Sequence, residues 1–317
     1  MLNLGKALNM KAIKATLFIL VFGLVILDSV DCSQVQDRTS RAIEKHYKDG
    51  DGAGNAEDAG SGISLEGRTT MDAIDRATVC AIRRGRNCSV KHAIARGLFE
   101  TGLEPRFPEN LKCRGIDHHY AMDYSHKRLI ENYHGGIDVP APFGTPIIAA
   151  AAGTVVAKYL ADNSPRGVEI VLRHRPEDTG LPFWIYTQYT HFDQMPKQAI
   201  GQRVCMGEVL GPTGNSGLHP RKGGQHENRR PAIHFAVFYS TSELFVERRR
   251  YREMIIPVNF QWMDPVALFR KKLPLDSHSM KALPEEEKRV PISIMLDNGQ
   301  LFPPNTKIIW PYTCRRE

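Results

Sequence analysis

Three things are scarce in this 317-residue chain, and each scarcity removes a class of protein. No two cysteines stand at Cys-x-x-Cys spacing, so a thiolate zinc cluster has no support. No apolar run reaches the roughly 20 residues that a membrane-spanning helix needs. Acidic residues are the minority charge, with 35 Asp and Glu against 42 Lys and Arg, a formal net charge of +7. That balance disfavours an acidic surface and suits an anionic partner, nucleic acid or a cell envelope among them. What is present, 42% hydrophobic and 24% charged residues, excludes wholesale disorder, a fibrous repeat and a multi-span membrane protein.

Lys6, Lys11 and Lys14 precede an uncharged apolar stretch from Ala15 to Leu27, and Asp28, Ser29 and Asp31 follow it. This is the layout of a cleaved export signal, expected over residues 1–33, with no stable membrane span left after cleavage. The chain is therefore expected in the periplasm or cell envelope, with secretion or an uncleaved signal anchor as the other outcomes. Asp31 before Cys32 lacks the small residue of lipoprotein signals, so lipidation is not expected. Export leaves Cys80, Cys88, Cys113, Cys205 and Cys314 in an oxidising compartment. Five is odd, so at least one is expected to stay unpaired, while Cys80 and Cys88 flank a basic turn that a bridge could staple.

Residues 34–68 are rich in Gly, Asp, Ser and Ala and read as a flexible linker. Residues 69–113 carry Met71, Ile74, Ala77, Val79 and Ile82, then Val90, Ile94, Leu98 and Phe99, at roughly helical spacing, which predicts a short helical hairpin. Residues 114–270 break into short runs rich in Val, Ile, Tyr and Phe between Gly, Pro and Asn, as strands do. Residues 271–317 form a C-terminal extension whose Asp297-Asn298-Gly299 turn predicts a β-hairpin. The expected fold class is mainly β (α+β): an antiparallel β-sheet domain preceded by a short helical hairpin.

His134 and Asp138 stand four apart, a spacing by which a helix aims two ligands at one metal. Gly135 and Gly136 between them, with Pro140 and Pro142 just after, favour a strand or turn instead, from which both side chains can still converge. Alone, the pair is weak: a surface histidine near an aspartate is the ordinary reading.

The wider sequence reverses that. The run from His134 through Asp138, Gly144, Thr145 and Pro146 to Val155 and Val156 resembles the first signature of the M23 zinc metallopeptidases, the lysostaphin-like cell-wall endopeptidases. Tyr189-Thr190-His191-Phe192 is similar to that family's Tyr-x-His-Leu element, and Gly201 to Gly217 to its glycine-rich strand and loop. Ile233-His234-Phe235-Ala236-Val237 matches the end of its His-x-His-Phe-x-Val strand. The resemblance covers about His134 to Tyr239. It implies a Zn2+ ion held by His134, Asp138 and His234, with His191 as a catalytic histidine. The implied reaction is hydrolysis of peptide bonds in peptidoglycan, the implied partner its stem or cross-bridge peptides. Two imidazoles and one carboxylate agree with this, since they leave an open fourth position on zinc.

One position departs from the family pattern. Where its last strand begins with a catalytic histidine, this chain has Ala232, which can neither move a proton nor donate a hydrogen bond. Impaired hydrolysis is the expectation; a non-catalytic zinc-binding relative that binds wall peptide or regulates a partner hydrolase is the alternative. The loop from Leu218 to Pro231 carries His219 and His226, either of which is a candidate replacement. His118, His119 and His126 read as parts of a polar loop or helix face. The run Glu247 to Arg252, basic with one aromatic, reads as a solvated face, and export places nucleic acid out of reach.

Overall fold

The computed structural model describes Cys32 and residues 65–83, 88–116, 127–128, 132–160, 166–217, 230–248 and 253–317. The export signal over residues 1–31, most of the linker, and His118, His119, His126, His219 and His226 lie outside the described residues. So do residues 249–252 of the basic run.

Helices Arg76–Arg83 and Val90–Ala95 lead the described chain, the second opened by Ser89, whose hydroxyl accepts the Lys91 N–H. Two short strands follow, β1 (Glu104–Arg106) and β2 (Leu111–Lys112), then the pair β3 (Lys127–Arg128) and β4 (Asn132–Tyr133). The middle of the chain supplies β5 (Ile137–Pro140), β6 (Pro146–Ile148), β7 (Gly153–Tyr159), β8 (Val168–His174) and β9 (Trp184–Phe192). After them come β10 (Arg203–Val204), β11 (Val209–Pro212) and β12 (Ala232–Ser240). The chain ends through β13 (Phe245–Arg248), β14 (Met254–Pro257), β15 (Gln261–Met263), β16 (Arg289–Pro291), β17 (Ile294–Met295), β18 (Leu301–Phe302) and β19 (Arg315–Arg316).

The fold is mainly β, and its organising unit is a seven-stranded sheet in the order β10-β7-β8-β9-β12-β15, with β5 also paired to β12. Each of these pairings is antiparallel. β12 is long enough to take β5 against its first half and β15 against its second. Every residue of β8 is buried, so this strand is covered on both faces, and its charged residues need partners. Glu169 meets Arg166 at 3.0 Å. Arg173 donates to the carbonyls of Glu66 and Glu243 and lies 3.7 Å over the Trp184 ring.

The end of the chain is built into this core. Ile294–Met295 pairs with Leu301–Phe302 across the turn at 297–299, whereas Ile308 to Tyr312 forms no strand. Ile308, Trp310 and Tyr312 are instead fully buried. The Ile148 N–H donates to the Pro311 carbonyl and the Ile309 N–H to that of Ala150, fastening the segment along β6.

The cysteines depart from expectation, since none is left over. Six cysteines form three disulfides, Cys32–Cys205, Cys80–Cys88 and Cys113–Cys314, and no described cysteine is unpaired. The odd count arose from assigning Cys32 to the leader; counted with the other five, it pairs with Cys205.

Candidate functional site

Strand register, rather than helical spacing, assembles the site. His234 lies on β12 directly opposite Asp138 on β5, with Thr190 of β9 at its other side. His134 precedes β5 and turns back toward the same carboxylate. Oδ1 of Asp138 is 2.8 Å from Nδ1 of His234 and 3.2 Å from Nε2 of His134. The two imidazoles pack edge to face with centroids 4.4 Å apart. One donor atom from each of the three residues lies within 4.8 Å of the others.

Gly136 makes this approach possible. A Cβ there would stand 2.5 Å from the Phe235 carbonyl oxygen and 2.8 Å from Nε2 of His234, so any side chain would push the second imidazole out of the cluster. Burial resists ionisation of Asp138, but the adjacent His134 ring and the hydrogen bonds from both imidazoles hold its carboxyl well below the usual carboxylate range. Two ring nitrogens and one ionised carboxylate aimed at one point are a donor set suited to a divalent transition metal, zinc first among them.

His191 is presented differently. Glu169 pairs with Thr190 and Val168 with Phe192, so His191 is the extra residue of a β-bulge in β9. Its φ of 72° lies in the left-handed region, where a non-glycine residue is sustained only by its surroundings. The sustaining contact is Nδ1, 2.8 Å from the Ser216 carbonyl oxygen. A carbonyl only accepts, so Nδ1 carries the proton and Nε2 is the acceptor of the ring. Ser216 is in turn fixed by the Val168 N–H, which donates to its hydroxyl. The imidazole of His191 lies 6.1 Å from that of His234, centroid to centroid, and is 3% exposed.

All four residues singled out in the sequence, His134, Asp138, His191 and His234, are brought together. Ala232 is buried at the head of β12 opposite Pro140, and strand alternation puts its methyl on the face that carries His234. Sequence reasoning missed Ser216, which acts through its main-chain carbonyl and leaves no side-chain signal.

Residues 132–245 match Peptidase family M23. That M23 segment contains the whole cluster, His191 and Ala232. Among solved structures, the chain is similar to an alanine-to-histidine variant of the catalytic domain of the prophage-encoded M23 protein EnpA from Enterococcus faecalis, at 24% identity and TM-score 0.29, over 43% of this chain and 85% of that one. It is similar to the catalytic domain of the antimicrobial peptidase lysostaphin from Staphylococcus simulans, at 20% identity and TM-score 0.30, over 42% and 84%. A zinc-containing peptidase from Vibrio cholerae is similar at 19% identity and TM-score 0.31, over 50% and 39%. No curated protein matches the chain.

Proposed function

We propose that the chain is an exported, zinc-dependent endopeptidase that hydrolyses peptide bonds of peptidoglycan, with His134, Asp138 and His234 holding the metal and His191 as the catalytic imidazole. The observation that carries this reading is the convergence of two ring nitrogens and a carboxylate oxygen inside a segment that matches a peptidase family. Export is supported by three disulfides, which persist in oxidising compartments, and by the apolar stretch from Ala15 to Leu27 after three lysines. Among the described residues no helix is long and apolar enough to cross a membrane.

Zinc bound in such a site supplies a Lewis acid toward water and the scissile carbonyl. Asp138 serves as an anionic ligand, because its neighbours keep it ionised. Nε2 of His191 accepts a proton from the attacking water, and its Nδ1–H stays on the Ser216 carbonyl and holds the ring in that tautomer. Ala232 supplies neither a proton nor a hydrogen bond, so turnover is slow.

The same alanine favours a second reading, a non-catalytic zinc-binding relative that binds wall peptide or regulates a partner hydrolase. Metal analysis of the purified protein, together with hydrolysis of purified wall, separates the two. The endopeptidase reading expects one zinc per chain and slow hydrolysis, both lost in His134→Ala and in Asp138→Asn. Zinc with wall binding but no hydrolysis supports the second reading; zinc retained at full occupancy when His134→Ala and Asp138→Asn are combined sinks both.

A further inference from the structure

A cavity of about 240 Å³ opens where the segment ahead of the M23 domain meets the last residues of the chain. Lys112, Arg114, Arg230 and Arg315 line it, against a single carboxylate, Asp297. Like charges gathered this closely repel one another, and a bound anion relieves that repulsion. Among the described residues, Lys112, Arg114 and Arg315 enter no ion pair.

The walls are firmly set. Lys112 pairs with Arg315 across the β2–β19 ladder, and the adjoining Cys113–Cys314 disulfide crosslinks the two segments. The Arg114 carbonyl accepts the Trp310 indole N–H at 2.7 Å. Two residues from Cys314, the Tyr312 hydroxyl meets that of Thr213 at 2.7 Å, joining this wall to the glycine-rich loop that holds His191.

The cavity also adjoins the metal-ligating cluster. Pro140 lines it and pairs with Ala232. Alternation along β5 puts Pro140 on the same face as Asp138, and two residues of strand span about 7 Å. An extended peptide crossing the cluster therefore brings a group about two residues from the cleaved bond to the mouth of the cavity. Guanidinium groups recognise carboxylates through paired, charge-assisted hydrogen bonds.

We propose that this cavity is an anion subsite that receives a carboxylate of an acidic peptide substrate about two residues from the scissile bond. The assignment rests on the endopeptidase reading for its substrate, but the cavity is built largely by residues outside 132–245, so the selectivity belongs to the flanks of this chain.

The test uses the full chain and two short wall peptides that differ only in a free carboxylate or its amide. In direct binding by calorimetry, the acid should bind at least about tenfold more tightly, as one or two charge-assisted hydrogen bonds imply. Arg114→Gln with Arg315→Gln should reduce that preference to within about twofold, raising KM for the acid with kcat unchanged and leaving the amide unaffected. Should the double variant misfold, Arg315→Gln alone, at an exposed position, carries the same comparison. Equal binding of acid and amide by the unmodified protein, or a preference that survives the substitutions, overturns the proposal. Inorganic phosphate that binds more tightly than the acid peptide also overturns it, assigning the cavity to a phosphate-bearing wall polymer. Acid-selective binding without hydrolysis would remove the endopeptidase reading and keep the cavity; hydrolysis of both peptides with equal KM would do the reverse.

Discussion

The cleft is chemically lopsided. On one side His191 is locked by a bulge and by the Ser216 carbonyl; at the head of β12 the face beside His234 carries only the methyl of Ala232. On the endopeptidase reading, a catalytic imidazole contributes about 10²- to 10⁴-fold, so a single missing one would slow hydrolysis without abolishing it. Ala232→His should raise the rate of wall hydrolysis at least about tenfold, roughly 1.4 kcal/mol in the barrier, with zinc content unchanged. Single-turnover assays on the two proteins check this, and His191→Ala in the substituted background should erase most of the gain. Equal rates for the starting and substituted proteins would show that another group already fills the role. His134, Asp138, His191 and His234 were all legible as motif positions. The left-handed backbone of His191 was not, because a bulge depends on which residues of β8 pair with β9, and register across strands is invisible in one sequence.

Between β8 and β9 runs a buried polar chain that no motif in the sequence announces. His174 Nδ1 lies 2.6 Å from the Ala152 carbonyl oxygen and Nε2 lies 2.7 Å from the Thr187 hydroxyl. Thr187 is 3.1 Å from the Tyr189 hydroxyl, which accepts the Ala150 N–H. The carbonyl requires a proton on Nδ1, and full burial favours the neutral ring. Burial pushes His174 down from its ordinary 6.5 to about 4, against upward pulls from the Ala152 carbonyl and from Asp178, which is itself paired with Arg203 at 2.6 Å. The unfolded chain thus takes up this proton first as pH falls. Its contribution is complete above about pH 6.5, is lost between about 6.5 and 4, and falls no further below that, on the order of 3 kcal/mol in all. Urea unfolding across this range should show a steeper loss for the native protein than for His174→Gln; parallel slopes would exclude His174 as the source. Strands with long apolar or alternating runs, such as β9 and β12, were readable in advance. The parallel pairing of β1 with β16 was not, since each strand has three residues, one of them proline, and the partners are far apart in sequence.

For the molecule as a whole, the composition and turn pattern suggested a β domain with an appended C-terminal extension, yet the extension completes the core. Ile308, Trp310 and Tyr312 have no exposed surface, and burying a large apolar side chain is worth about 1.5–3 kcal/mol. Deleting residues 271–317 would also orphan the buried Ile148 N–H and Ala150 carbonyl, which now pair with Pro311 and Ile309, at about 1–3 kcal/mol for each unsatisfied group. The Tyr312 hydroxyl would be lost from Thr213, and the Cys113–Cys314 crosslink, which spans 201 residues of sequence, would go with it. A loop that long makes a disulfide worth about 5 kcal/mol in the chain-entropy account. Truncation thus opens the core, orphans buried polar groups and removes a crosslink at once, in a fold whose net margin is only about 5–15 kcal/mol. The truncated protein should therefore fail to give a cooperative thermal transition, even though the M23 segment is intact in its sequence. Differential scanning calorimetry of the two chains decides the matter: a truncated form that melts cooperatively within a few degrees of the full chain, with zinc still bound, would mean that the tail is an independent appendage and that the core closes without it.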